Sequence, residues 1–262
     1  MPRYKLTIEY NGTNFIGWQK QKKGFSIQGT IEKAAKNLLQ SEVHLTVAGR
    51  TDAGVHADAQ VAHLDIFKKL KIKNILFGLN FYLSKEKFGE DISIKKVNKV
   101  DANFNARFGA KKKIYQYKIY NNESRSPMHA YNTWWVSQKL NIIDMKKASK
   151  YLLGNHDFSS FRASGCQALS PIKTLDKIEI IKNKNIITIT FTARSFLYNQ
   201  VRIMTGTLKD VGSGLKNPAA LKRILHKKKR SNFVIKNNFK LLSLKKNIKM
   251  IKRKILDERN SS

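Results

Sequence analysis

Residues 4–10 alternate, with Tyr4, Leu6, Ile8 and Tyr10 on one side and Lys5, Thr7 and Glu9 on the other. That period of two predicts a strand with one buried face. Asn11-Gly12 follows as a turn signal. The period then lengthens: Ile27, Ile31, Ala34, Ala35, Leu38 and Leu39 form a helical stripe behind Ser26. A helix over 26–39 is predicted, with Ser26 as its N-cap. Residues 43–48 and 60–66 alternate again and predict two strands with a loop between them. A helical stretch over 72–79 and a strand over 92–97 complete this part of the chain.

The same mixture recurs further on. Residues 114–120 alternate, placing Tyr115, Tyr117 and Ile119 on one face. Asp144 is read as the cap of a helix reaching about residue 153. Strands are predicted over 175–181 and 186–193, the second with Ile187, Ile189 and Phe191 against Thr188, Thr190 and Thr192. Residues 196–210 read as a helix. Asn217-Pro218, an N-cap followed by proline at the first helical position, opens another to about residue 226. Strands and helices mix without strict alternation, which predicts an α+β fold with antiparallel pairing rather than a doubly wound parallel sheet. The rhythm suggests two units with a boundary near Arg107: an N-terminal half, 1–107, and a C-terminal half, 108–262.

Charge changes the picture. The chain has 262 residues, 51 Lys plus Arg and 18 Asp plus Glu, a net of +33. Residues 222–262 hold 15 basic and 2 acidic residues, a net of +13, which leaves +20 on the rest. Such a field favours a polyanionic partner, and RNA is the preferred reading. A general Lys, Asn and Ile enrichment, as in Lys68-Lys69-Leu70-Lys71-Ile72-Lys73-Asn74, is the competing explanation. No apolar run approaches the ~18 residues of a spanning helix, so no membrane insertion is expected. The start, Met1-Pro2-Arg3-Tyr4-Lys5, lacks the apolar run of a secretory signal. A single cysteine, Cys166, excludes an internal disulfide framework and agrees with a reducing, cytoplasmic compartment. One Cys and 6 scattered His give no metal-site pattern.

The richest local signal is Ala48-Gly49-Arg50-Thr51-Asp52-Ala53-Gly54-Val55-His56-Ala57. It sets one carboxylate, Asp52, on a Gly-hinged loop between two strands, a common way to present a functional side chain. An Asx-turn, with Asp52 bonding its own backbone, is the plainer alternative. Elsewhere, Arg202 lies in an apolar helix phase beside Val201, Ile203 and Met204, where a guanidinium must pair or reach solvent. Tyr115 reads either as a sheet-face residue or as a ring able to stack on a base. Arg50 is either a loop anchor or a planar group for phosphate or for the gap left by a flipped base. Lys111-Lys112-Lys113 and Lys227-Lys228-Lys229-Arg230 are candidate phosphate contacts.

Five segments in order carry a resemblance. They are Ile8-Glu9-Tyr10-Asn11-Gly12 with Gly17-Trp18-Gln19-Lys20-Gln21 and Ser26-Ile27-Gln28; the Asp52 loop; Phe104-Asn105-Ala106-Arg107-Phe108-Gly109-Ala110 with Ile114-Tyr115-Gln116-Tyr117; Phe158-Ser159-Ser160-Phe161-Arg162-Ala163-Ser164-Gly165-Cys166 with Ser170-Pro171; and Ser195-Phe196-Leu197-Tyr198-Asn199-Gln200-Val201-Arg202-Ile203-Met204-Thr205-Gly206. Over about residues 4–214 the chain resembles the transfer-RNA pseudouridine synthase A family. The resemblance implies isomerisation of uridine to pseudouridine at positions 38–40 of the anticodon stem-loop, with no cofactor. It implies Asp52 as catalytic residue, Arg202 as its ion partner, Tyr115 in the active site and, through Phe239-Lys240-Leu241-Leu242, Leu242 against the uracil. It further implies two related halves whose antiparallel sheets join into one central sheet flanked by helices, a basic cleft between them, and a homodimer.

The chemistry agrees. Breaking a glycosidic bond and rejoining the base through carbon calls for a carboxylate, as nucleophile or as stabiliser of positive charge. No water must be activated, so one suffices. A cationic neighbour is expected to hold it charged. There are departures from the family pattern. Asn11 replaces the usual Asp, Ser84-Lys85-Glu86-Lys87-Phe88-Gly89-Glu90-Asp91 replaces a shorter turn, and the C-terminal strand lacks its usual Gly-Leu and Ala-Pro. Two other classes compete: a non-catalytic RNA-binding protein of the same fold, and a ribosome-associated protein acting by charge alone.

Overall fold

The computed structural model describes residues 1–166 and 168–226. The chain divides into two compact units between Lys111 and Lys112.

In the first unit, β1 (Arg3–Tyr10), α1 (Ile27–Leu39), β2 (Thr46–Val47), β3 (Ala57–Asp65), α2 (Ile72–Leu83) and β4 (Ile92–Val100) follow in order. The sheet order is β2-β3-β1-β4, and every pairing is antiparallel. Alternation along β1 buries Tyr4, Leu6, Ile8 and Tyr10, as the pattern requires. Ser26 Oγ accepts the Gly29 N–H at 3.1 Å and starts α1. Its stripe of Ile27, Ile31, Ala34, Ala35 and Leu39 is buried in the same core as β1. Helix α2 outruns its predicted end and is tied to the sheet by Asn80. That side chain donates to Ile94 O at 3.0 Å and accepts from Ile94 N at 2.9 Å. The strand expected over 43–48 contracts to the two residues of β2, because only Thr46 and Val47 find partners, in His63 and Ala62.

A polar clasp closes this unit. Arg3 holds Asp65 through two bonds of 2.8 Å each and donates to Phe104 O at 2.8 Å. Beside it, His63 is 5% exposed, and its Nδ1 accepts the Ala106 N–H at 3.2 Å. Burial first, then the Arg3 charge, holds the His63 imidazole below its ordinary value, against an opposing pull from Asp65. Below about pH 6.5 the unfolded chain therefore binds a proton that the native state resists. Stability is expected to fall as pH drops from about 6.5 toward the depressed native value. Asp65 acts lower on the scale. The Arg3 hydrogen bond holds its carboxyl below the ordinary range, with burial opposing. Its contribution is present above about pH 3.9 and lost as pH falls through the depressed value. His63→Gln, which keeps an acceptor for Ala106, should flatten the dependence between pH 7.5 and 5.5. Urea midpoints check this, and a wild-type midpoint equal at both pH values would refute it.

The second unit contains β5 (Lys113–Asn121), β6 (Trp134–Val136), α3 (Ile142–Ser149), β7 (Gly154–Asp157), β8 (Ile172–Asn183), β9 (Ile186–Ala193), α4 (Gln200–Gly212) and α5 (Ala220–His226). Its sheet order is β6-β5-β9-β8-β7, antiparallel except for the β5–β6 pair. Ile187, Ile189 and Phe191 of β9 are fully buried, with Met204 and Leu208 of α4 in the same core. Several expectations shift here. The cap of α3 is Asn141, whose side chain accepts from Ile143 and Asp144 N–H groups, leaving Asp144 in the first turn. Helix α4 starts at Gln200 rather than at residue 196, because Asn199 takes a left-handed φ of 57°. Strands β6 and β7 were not predicted. The expected Asn217 cap bond forms, its Oδ1 accepting the Ala220 N–H at 2.8 Å, while α5 itself begins at Ala220 rather than at Pro218. Mixed helices and mainly antiparallel sheets make this an α+β protein. The strand proposed around Leu242 lies outside the described residues.

Candidate active site

Residues 48–57 leave β2 and enter β3 as a loop laid against the segment that follows β1. Gly17 forms an isolated antiparallel bridge with Asp52. Trp18 N–H donates to Thr51 O at 3.0 Å, and Gly54 N–H to Phe15 O at 3.4 Å. Val55 N–H returns to Asp52 O at 3.2 Å and closes the turn. Gly12 N–H donates to His56 Nδ1 at 3.2 Å, so this histidine orients the loop. Close approach is possible because two residues lack a Cβ. One added to Gly17, at φ 112°, would stand 2.6 Å from Thr51 O; one on Gly12 would stand 2.1 Å from Val55 O. The first matched segment is thus a backbone cradle for the second. Within it Asp52 is half-buried, while Arg50 is exposed.

A side-chain network lies behind the loop. Gln60 Nε2 donates to Gly49 O at 2.8 Å and to Tyr10 Oη at 3.3 Å. Tyr10 Oη lies 2.8 Å from Thr51 Oγ1, so its hydroxyl can donate there. Burial raises the Tyr10 phenol above its ordinary value, against the lowering effect of Thr51 and Gln60, so it is neutral over the working range. These bonds pin both residues that flank Arg50. Sequence reasoning placed Gln60 on a strand face and gave Tyr10 no part in the site. The signal that could have found them is their position on neighbouring strands, where Ile8 faces Gln60 and Tyr10 faces Ala57. Tyr10→Phe should lower unfolding free energy by about 1 kcal/mol, the usual size for one lost hydrogen bond. Urea denaturation checks this; an unchanged midpoint would show that Thr51 and Gln60 re-pair without the hydroxyl.

Tyr115 and Arg202 belong to the second unit. Tyr115 is half-buried on β5, its ring edge-on to Phe196 at 5.2 Å. Arg202 is the third residue of α4 and is exposed, between the half-buried Val201 and Ile203. The structure therefore keeps Asp52 and Arg50 on one loop, and Tyr115 and Arg202 on separate elements of the other unit. Leu242 and the run 227–230 lie outside the described residues. Cys166 is half-buried in a loop. Burial opposes its ionisation, but backbone bonds from Tyr198 and Ala168 and the charges of Arg162 and Lys173 bring the thiol below its ordinary value. Among the described residues, no three His, Cys, Asp or Glu side chains are grouped to hold a metal ion. No helix there is long and apolar enough to cross a membrane.

A half-buried carboxylate on a backbone-clamped loop, in a strongly basic α+β chain, suits an enzyme acting on a polyanion. Comparison with known proteins narrows the class. Residues 148–240 match a family model described as tRNA pseudouridine synthase. Curated proteins named tRNA pseudouridine synthase A from Brucella ovis, Brucella canis and Brucella abortus are each 45% identical over 214 residues, covering 82% of this chain and 84% of theirs. The chain belongs to the tRNA pseudouridine synthase A family, a family of isomerases.

Proposed function

We propose that this protein converts uridine to pseudouridine at positions 38–40 of the anticodon stem-loop of tRNA, with Asp52 as the catalytic carboxylate and no cofactor. The observation that carries this reading is the placement of Asp52. It is half-buried and held by backbone bonds on both sides, within the string that the family resemblance marks as catalytic.

The reaction breaks the bond between C1′ and a ring nitrogen and makes one between C1′ and a ring carbon. That carbon loses a proton and the freed nitrogen gains one, so nothing is added or lost overall. A carboxylate on the loop can attack the electron-poor centre or stabilise positive charge as the bond opens. A paired uridine must first leave its stack. Arg50, exposed at the rim of the loop, is suited to fill the gap or to clamp a phosphate. Tyr115 would stack on the extruded uracil, and Leu242 would pack against it. Arg202 would pair with Asp52 across the two halves. In this reading the two sheets join into one, with a basic cleft between the halves, and the protein acts as a homodimer in the cytoplasm.

Incubation with transcribed tRNA, followed by a chemical readout of pseudouridine, tests the reading. Product at 38–40 supports it; tight tRNA binding without product would favour a non-catalytic RNA-binding protein. Arg202→Leu separates the two roles open to that residue. A partner of Asp52 predicts turnover at least about tenfold lower with a smaller change in tRNA affinity. Equal losses in both, with a salt slope reduced by about one, would return Arg202 to a phosphate contact.

A further inference from the structure

One edge of the second unit's sheet carries an aromatic and cationic tract that the proposed chemistry does not use. Strand β6 ends the five-stranded sheet, parallel to β5, with Tyr120 opposite Trp135. The edge is rigid. Buried Asn121 donates to Val136 O at 3.0 Å and Gln138 O at 2.7 Å, and accepts from Leu140 N at 3.2 Å. Trp135 stays 37% exposed although its indole N–H is satisfied by Asn122 O at 2.9 Å. What the ring still offers is its π surface, and the Arg125 guanidinium lies over it at 4.9 Å. Tyr120, next in register, has the His129 ring 5.3 Å away and tilted by 33°. The period of two puts exposed Lys118 on the same strand face as Tyr120.

An exposed tryptophan with its polar edge used up and a cation on its face is poorly suited to water. It is well suited to a flat, polar-edged ring flanked by negative charge, because bases stack on aromatic and guanidinium planes alike. Charge selects the partner: residues 113–143 hold four basic and one acidic residue, within a chain of +33. We propose that this edge is an RNA-stacking platform, on which an unpaired base of the tRNA packs against the Arg125–Trp135 pair while Lys118 meets a neighbouring phosphate. This rests on the reading of tRNA as substrate and adds a contact surface outside the Asp52 loop.

The test is the affinity of the full chain for transcribed tRNA at fixed salt. Trp135→Ala should weaken binding about tenfold or more, the loss expected for one stacked base. Trp135→Phe, which keeps an aromatic face, should restore most of it. Arg125→Ala, at an exposed position whose loss leaves the indole bond to Asn122 intact, should weaken binding as well and decides the matter if Trp135→Ala fails to fold. Wild-type affinity in folded Trp135→Ala or Arg125→Ala overturns the platform. So does a Trp135→Ala chain that loses a dimer by sedimentation while binding tRNA normally, because the edge would then join two copies. Stack-dependent binding without any product would leave the platform standing and remove the isomerase reading.

Discussion

Asp52→Asn is expected to abolish pseudouridine formation while leaving the fold and tRNA affinity close to wild type. Asparagine has the same shape but can neither attack carbon nor stabilise a developing cation. Among the bonds that hold the loop, the Gly17–Asp52 bridge, the Trp18 bond to Thr51 O and the Val55 bond to Asp52 O are made by backbone atoms. None of them needs the carboxylate. Removing a group aimed at transition-state charge commonly costs on the order of a hundred- to a thousandfold in turnover, so a loss at least this large is expected. Quantifying pseudouridine in tRNA after incubation checks it, together with a binding isotherm and an unfolding curve. Turnover near wild type would remove Asp52 from the chemistry. Comparable losses of fold and activity would instead make the loop carboxylate structural.

Affinity for tRNA should fall steeply with salt. If about six phosphates are neutralised, binding should weaken on the order of a thousandfold between 50 and 200 mM salt, because counterions released on binding are harder to release into concentrated solution. The +33 net charge motivates this. So does its spread, with +20 remaining outside residues 222–262. Titrations at four or five salt concentrations give the slope directly. A flat response would show that the lysines reflect composition rather than a binding surface. The first test would stand unaffected, since it reads the product formed and not how the RNA is held.

Local pattern was sufficient where local forces dominate. Strand β1 and helix α1 are encoded by a period of two, a period near 3.6 and one serine cap, and each buries the face its sequence marks. Strand β9 follows for the same reason. Pattern was insufficient where a partner elsewhere decides. Residues 43–48 alternate throughout, yet only Thr46 and Val47 pair. Strand β6 is three residues long and exists because Asn121 and β5 hold it in place. Helix α4 begins late because Asn199 adopts a left-handed turn that a count of apolar residues does not register.

The site divides in the same way. The Asp52 string, the basic charge and the α+β class are properties of residue order and composition, and the sequence alone determined them. Tertiary structure decided that Gly12 and Gly17 lie beneath the Asp52 loop, and that Tyr10 and Gln60, fifty residues apart, meet behind it. It also exposed Trp135 beneath Arg125 at a sheet edge. Short-range preference sets what a segment can become. Strand register and the close approach of distant backbones set which side chains share a space, and that depends on how the whole chain packs.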